Sequence, residues 1–120
     1  MKIAVGSAGY DLNSKVSGIF GVSSAFIIAN IENKEIKKIF VINNAQNKLG
    51  SGSTAAQIIV DHEVNTLICG KLGPVAFHIL KNAGIKVFKI IPGSVEKNLK
   101  RFKEEKLEEI TTLSSGFPQI

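Results

Sequence analysis

At 120 residues the chain has room for one domain with one core. Its longest apolar runs are far too short to span a bilayer, and a single cysteine forbids an internal disulfide. The net charge of +5 is modest, and without tryptophan and with one tyrosine the chain lacks the aromatic platform of a nucleic-acid binder, so no nucleic-acid partner is expected. The charge is unevenly placed. Between Gly93 and Ile110 lysines and arginine are balanced by glutamates, so the excess lies elsewhere, where it favours an anionic partner.

The first strand is expected over Lys2 to Ser7, and it reads as a strand rather than a signal peptide because its apolar run is short and no cleavage site follows. A cytoplasmic protein without a membrane partner is expected. From Gly6 to Gly21 runs a long loop of small and polar residues. Loops of that length in small domains are often functional, and Phe20 is placed to anchor this one to the core. Ala25 to Ile31 and Glu35 to Asn43 are the second and third strands, joined by a hairpin at Glu32-Asn33-Lys34.

The pattern then changes. Asn44 to Ser51 is loop, and Ala55 to His62 is a helix with Ser53 or Thr54 as its N-cap. Thr66 to Cys69 is a short apolar strand of the kind covered on both faces. Gly70 and Gly73 permit a tight turn, and Pro74 is suited to open the next helix, over Val75 to Asn82. Ile85 to Ile91 is the fifth strand. A last helix carries Val95, Leu99 and Phe102 on one face. The order β-β-β-α-β-α-β-α predicts an α/β domain over residues 1–120 with a five-stranded mixed sheet, the layout of a ribonuclease H-like fold.

A metal-dependent nuclease of that architecture needs clustered carboxylates, and the first strand has none. Cys69, His62 and His78 form no closed zinc pattern, although Cys69 at a strand end can donate one thiolate to a larger group; the plainer reading is a small buried hydrophobe. The stretch Leu49-Gly50-Ser51-Gly52-Ser53-Thr54 enters a helix and can wrap N–H groups around an anion, but it lacks the lysine and spacing of a Walker loop. The N-terminus of the helix after Gly73 also suits an anion, with Cys69 and Lys71 flanking the turn.

Five segments together resemble the dinitrogenase iron-molybdenum cofactor biosynthesis family. They are Met1 to Val5; Val16-Ser17-Gly18-Ile19-Phe20-Gly21 followed by Phe26-Ile27-Ile28; Ala55-Ala56-Gln57; Ile68-Cys69-Gly70-Lys71-Leu72-Gly73-Pro74-Val75-Ala76-Phe77; and Ala83-Gly84-Ile85-Lys86-Val87. The resemblance implies a ribonuclease H-like fold and a non-enzymatic carrier of an iron-sulfur or iron-molybdenum cluster that works with cluster-assembly proteins. It implies a cluster cradle at Gly18, Phe20, Gly21, Gly50, Gly52, Gly70, Lys71 and Gly73, with Cys69 and His78 as candidate metal ligands. Many members have a histidine just before the Phe-Gly pair, where this chain has Ile19. That departure keeps open an alternative: an interaction module or small-anion sensor that has the fold without the cluster ligands.

Overall fold

In the computed structural model, which describes residues 1–44, 47 and 51–113, four strands run the same way and one runs against them. The strands are β1 (Lys2–Ser7), β2 (Ala25–Glu32), β3 (Glu35–Asn43), β4 (Thr66–Cys69) and β5 (Lys86–Lys89), and the sheet order is β3-β2-β1-β4-β5. β2 is antiparallel to both β1 and β3, whereas β1, β4 and β5 are mutually parallel. The expected element order is the one observed, with a short 3-10 turn at Phe20–Val22. The β2–β3 hairpin closes on Asn33 and Lys34, whose φ values of 51° and 63° give the left-handed pair that matches strand twist.

Alternation along the strands divides the core in two. Ala4, Ile28, Leu67, Cys69 and Val87 point to one face, where helices α1 (Gly52–Asp61) and α2 (Pro74–Asn82) bring Ala55, Ala56, Ile59, Ala76 and Leu80 against them. Ile3, Val5, Ile27, Ala29 and Ile68 point to the other, under Val95 and Leu99 of helix α3 (Val95–Lys103). The apolar run Leu67-Ile68-Cys69 is continuous because β4 lies between β1 and β5 and is covered on both sides.

Two boundaries differ from expectation. Helix α1 starts at Gly52, because Ser51 is its N-cap: the Ser51 Oγ accepts from the Thr54 N–H at 3.3 Å, which neither Ser53 nor Thr54 does. β5 ends at Lys89 rather than Ile91. Past that point the fully buried Asn98 takes over the backbone, its Oδ1 accepting from the Ile91 N–H at 2.9 Å and its Nδ2 donating to the Ile91 carbonyl at 3.0 Å.

Because β1, β3, β4 and β5 share a direction, their C-terminal ends lie on one edge, and α1, α2 and α3 all begin there. This edge is where open α/β sheets hold ligands.

Candidate functional site

The long loop after β1 is sewn onto this edge by backbone hydrogen bonds. Ala8 N–H donates to the Lys15 carbonyl at 2.8 Å and Ser17 N–H to the Gly6 carbonyl at 2.9 Å. Further on, Lys71 N–H donates to the Gly18 carbonyl and Phe20 N–H to the Lys71 carbonyl, each at 2.9 Å, so Ile19 and Lys71 form a short parallel bridge. Phe20 fixes this arrangement from below. Its ring is buried in the core against Phe26, with centroids 5.3 Å apart, as its expected anchoring role requires.

The bridge explains Gly70. A Cβ there would collide with the Gly18 backbone and sit 2.8 Å from the Ser17 carbonyl oxygen. Gly70 is therefore required for two backbones to cross, a packing duty rather than a ligand contact. Gly18 and Gly73 differ: a Cβ at either meets no atom of the described residues within 4 Å, and neither has a positive φ. The fold itself does not demand glycine at these two positions, and the space they leave is free for a ligand.

The bridge also divides the expected cradle. On one side is a cleft of about 370 Å³ between the loop turn at Ile19 to Gly21, the start of α1 at Ser51 to Ser53, and the turn from Lys71 through Gly73 into α2. On the other side, Gly18 and Gly70 face a separate cleft that, among the described residues, shares only Lys71 with the first. Of the predicted residues, Phe20, Gly21, Gly52, Lys71 and Gly73 come together in the first cleft. Gly50 lies outside the described residues.

The first cleft gathers features that favour negative charge. Two helix N-termini meet at it, close enough that a Cβ on Gly52 would lie 3.3 Å from the Ala76 Cβ. Among the described residues the Gly52, Ser53, Val75 and Ala76 N–H groups have no acceptor, as expected for the first turns of helices. Lys71 is exposed and takes part in no ion pair among the described residues, and no Asp or Glu lines the cleft. Apart from Lys71 and the serines, the wall is apolar: Ile19 and Val75 are 47% and 63% exposed at its mouth.

The two candidate metal ligands both lie away from the first cleft. Cys69 points away from the turn into the α1–α2 core and is fully buried, and burial pushes its thiol well above the ordinary range, which disfavours the thiolate. The reason is register: Leu67 and Cys69 share a face, and that face is the one under α1 and α2. His78 is exposed on α2 and does not line the cleft. No group of three or more His, Cys, Asp or Glu side chains among the described residues is arranged to hold a metal ion.

Two contributors had no clear signal in the sequence. Asn44, buried beside the loop, donates through Nδ2 to the Gly21 and Ser23 carbonyls at 3.3 and 2.8 Å. Asn47 donates to the Ser51 carbonyl at 2.8 Å and accepts from the Ser51 N–H at 3.1 Å. Together they hold the loop turn and the start of α1 at a set spacing. In the sequence both asparagines read only as loop residues.

Comparison with known proteins agrees on one group. The family model described as dinitrogenase iron-molybdenum cofactor matches residues 1–105. An uncharacterized protein of Methanocaldococcus jannaschii, MJ0580, is 40% identical over 98 residues, covering 80% of this chain and 83% of the relative. The NMR structure of TM1290 from Thermotoga, a DUF35-family protein, is 36% identical with a TM-score of 0.78, covering 92% of this chain and 94% of that one. The apo form of the orange protein from Desulfovibrio gigas is 26% identical with a TM-score of 0.81, over 92% of each chain.

Proposed function

The chain belongs to the dinitrogenase iron-molybdenum cofactor family, and on that premise we propose that it is a non-enzymatic binding protein that carries an anionic iron-sulfur or iron-molybdenum type cluster between cluster-assembly proteins. The observation that carries this reading is the first cleft: two open helix N-termini and Lys71 converge on one apolar-walled space with no carboxylate. Each helix start contributes roughly half a positive charge, which an anion partly neutralises. The N–H groups of Gly52, Ser53, Val75 and Ala76, without an acceptor among the described residues, are donors to the outer sulfur or oxygen atoms of such a cargo. The gap beside Gly73 lets it approach the backbone. The cargo is then held by charge and hydrogen bonds rather than by a thiolate, because Cys69 is sealed in the core. The sheet order β3-β2-β1-β4-β5, with β2 antiparallel, supports the ribonuclease H-like assignment and gives the carrier the same ligand edge.

A second reading is favoured by the rim. Ile19, Val22 and Val75, at 47%, 58% and 63% exposed, surround the helix starts with apolar surface. In an interaction module that surface meets a protein, and the cleft takes an acidic side chain instead of a cluster.

The test is anaerobic reconstitution with iron, molybdate and sulfide, followed by metal analysis and an absorption spectrum. The carrier reading expects bound metal and a charge-transfer band that Lys71→Glu reduces at least tenfold and Cys69→Ala leaves in place. Protein that remains colourless and metal-free after reconstitution overturns it and favours the interaction module.

A further inference from the structure

The second cleft, beyond the Ile19–Lys71 bridge, has a different chemistry. It is about 550 Å³, within the range of small-molecule sites. Lys15, Lys71 and Lys89 line it, and Val16, Ile90 and Pro92 form an aliphatic wall. No Asp or Glu lines it, and none of the three lysines takes part in an ion pair among the described residues. A fourth lysine lies close by. Gly93, also at the cleft, has a φ of 131°, and a Cβ on it would sit 2.9 Å from Lys97 Cδ and 3.7 Å from Lys97 Nζ. The Lys97 side chain therefore lies across Gly93 toward the rim.

The lysines come from separate parts of the chain and are held in place by the backbone. Lys15 is bridged to Ser94, the Val16 N–H donates to the Gly93 carbonyl at 3.0 Å, and Lys71 is tied to Gly18 and Phe20. Lys89 ends β5 beside Cys69, and the next residue, Ile90, donates its N–H to the Cys69 carbonyl at 3.1 Å. Three lysines around one cleft without an Asp or Glu make it positive, so the arrangement favours a ligand bearing several negative charges. Ammonium groups are compact point charges suited to phosphate oxygens. A ligand that is only inorganic anion leaves the aliphatic wall unused.

We infer that this second cleft binds an organic polyphosphate, with its phosphates among Lys15, Lys71 and Lys89 and its organic body against Val16, Ile90 and Pro92. The site is separate from the cluster cleft, and among the described residues Lys71 is the one common to both. Binding at one is then expected to alter affinity at the other through that shared charge.

The experiment is titration of the intact protein with ATP, inorganic triphosphate and adenosine, read by calorimetry and by amide chemical shifts. ATP is expected to bind more tightly than triphosphate, adenosine not at all, with shifts at Gly18, Gly70 and Gly93. Lys15→Ala and Lys89→Ala are each expected to weaken ATP by about tenfold, equivalent to about 1.4 kcal/mol, while leaving cluster retention as it was. Val75→Glu, at the mouth of the first cleft and outside the lining of the second, is expected to leave ATP affinity within about twofold while lowering cluster retention, so the two sites fail separately. Absence of ATP binding, or ATP affinity unchanged in both lysine variants, overturns the proposal. Triphosphate binding as tightly as ATP overturns the role of the aliphatic wall.

Discussion

Three helices begin at the same edge of the sheet, and one of them begins differently from the other two. At α3 every early N–H is already taken: Val95 donates to the Ser14 carbonyl at 2.9 Å, Glu96 to the Leu12 carbonyl at 3.0 Å, and Lys97 to Ser94 Oγ at 3.0 Å. The long loop after β1 supplies two of these acceptors. At α1 and α2 the same loop passes by without covering the helix starts, and among the described residues the Gly52, Ser53, Val75 and Ala76 N–H groups have no acceptor. The loop thus uses its first half as a cap and its second half as a cleft wall. A helix N-terminus is a binding feature only where the rest of the fold leaves it open.

The strongest way to break this contrast is to force the loop off the edge. Gly70→Val places side-chain atoms into the Gly18 and Ser17 backbone and is expected to cost on the order of 3 kcal/mol, read as a lowered urea midpoint. Gly73→Ala is the counterpart with open space around it, and its effect on stability is expected to stay within about 0.5 kcal/mol while cargo binding weakens. Equal loss of stability in the two variants removes the distinction between a packing glycine and a cleft glycine.

A second substitution attacks the closed helix alone. Asn98→Ala removes three hydrogen bonds that tie α3 to Ile91 and Ser94, and it leaves the half-buried Ile91 N–H without its acceptor. The expected cost is about 2 kcal/mol, with hydrogen exchange accelerating at Val95 and Glu96 and little changed at α1 and α2. Acceleration spread evenly over all three helices contradicts the contrast.

The smallest expected effect at neutral pH concerns Cys69. The buried native thiol holds its proton, whereas the thiol of the unfolded chain ionises above a pH of about 8.5. Above that pH the native state binds the extra proton, so unfolding becomes easier as pH rises, by up to about 1.4 kcal/mol per unit. The stability due to this group is complete below pH of about 8.5. Subtracting the curve of Cys69→Ala isolates this term from lysine titration; identical pH slopes in the two proteins place the thiol in solvent, at the site rather than in the core.

Cys69 also shows where reading the chain by itself stops. Its strand was legible from Thr66-Leu67-Ile68-Cys69, and its turn from Gly70, Gly73 and Pro74, because local backbone preference and apolar runs are encoded residue by residue. Which way the thiol points was not, because both faces of a central parallel strand are apolar and alternation then carries no inside-outside signal. The same limit applies to Gly18 and Gly70. Both are glycines near the turn, but one faces empty space and the other a crossing backbone, and only the long-range pairing of residues 18–20 with Lys71 separates them.

Taken alone, the amino-acid sequence determined the elements, their order and the glycine-rich edge, since each depends on neighbours within a few positions. It also marked Lys71 beside the turn. Tertiary structure decided the rest: that Cys69 is core, that His78 is outside the cleft, that two clefts meet at Lys71, and that Lys89 stands with Lys15. The physical reason is common to all of these. A site at the end of a sheet is assembled from segments distant in sequence, and its charge and openness exist only once hydrogen bonds have brought those segments together.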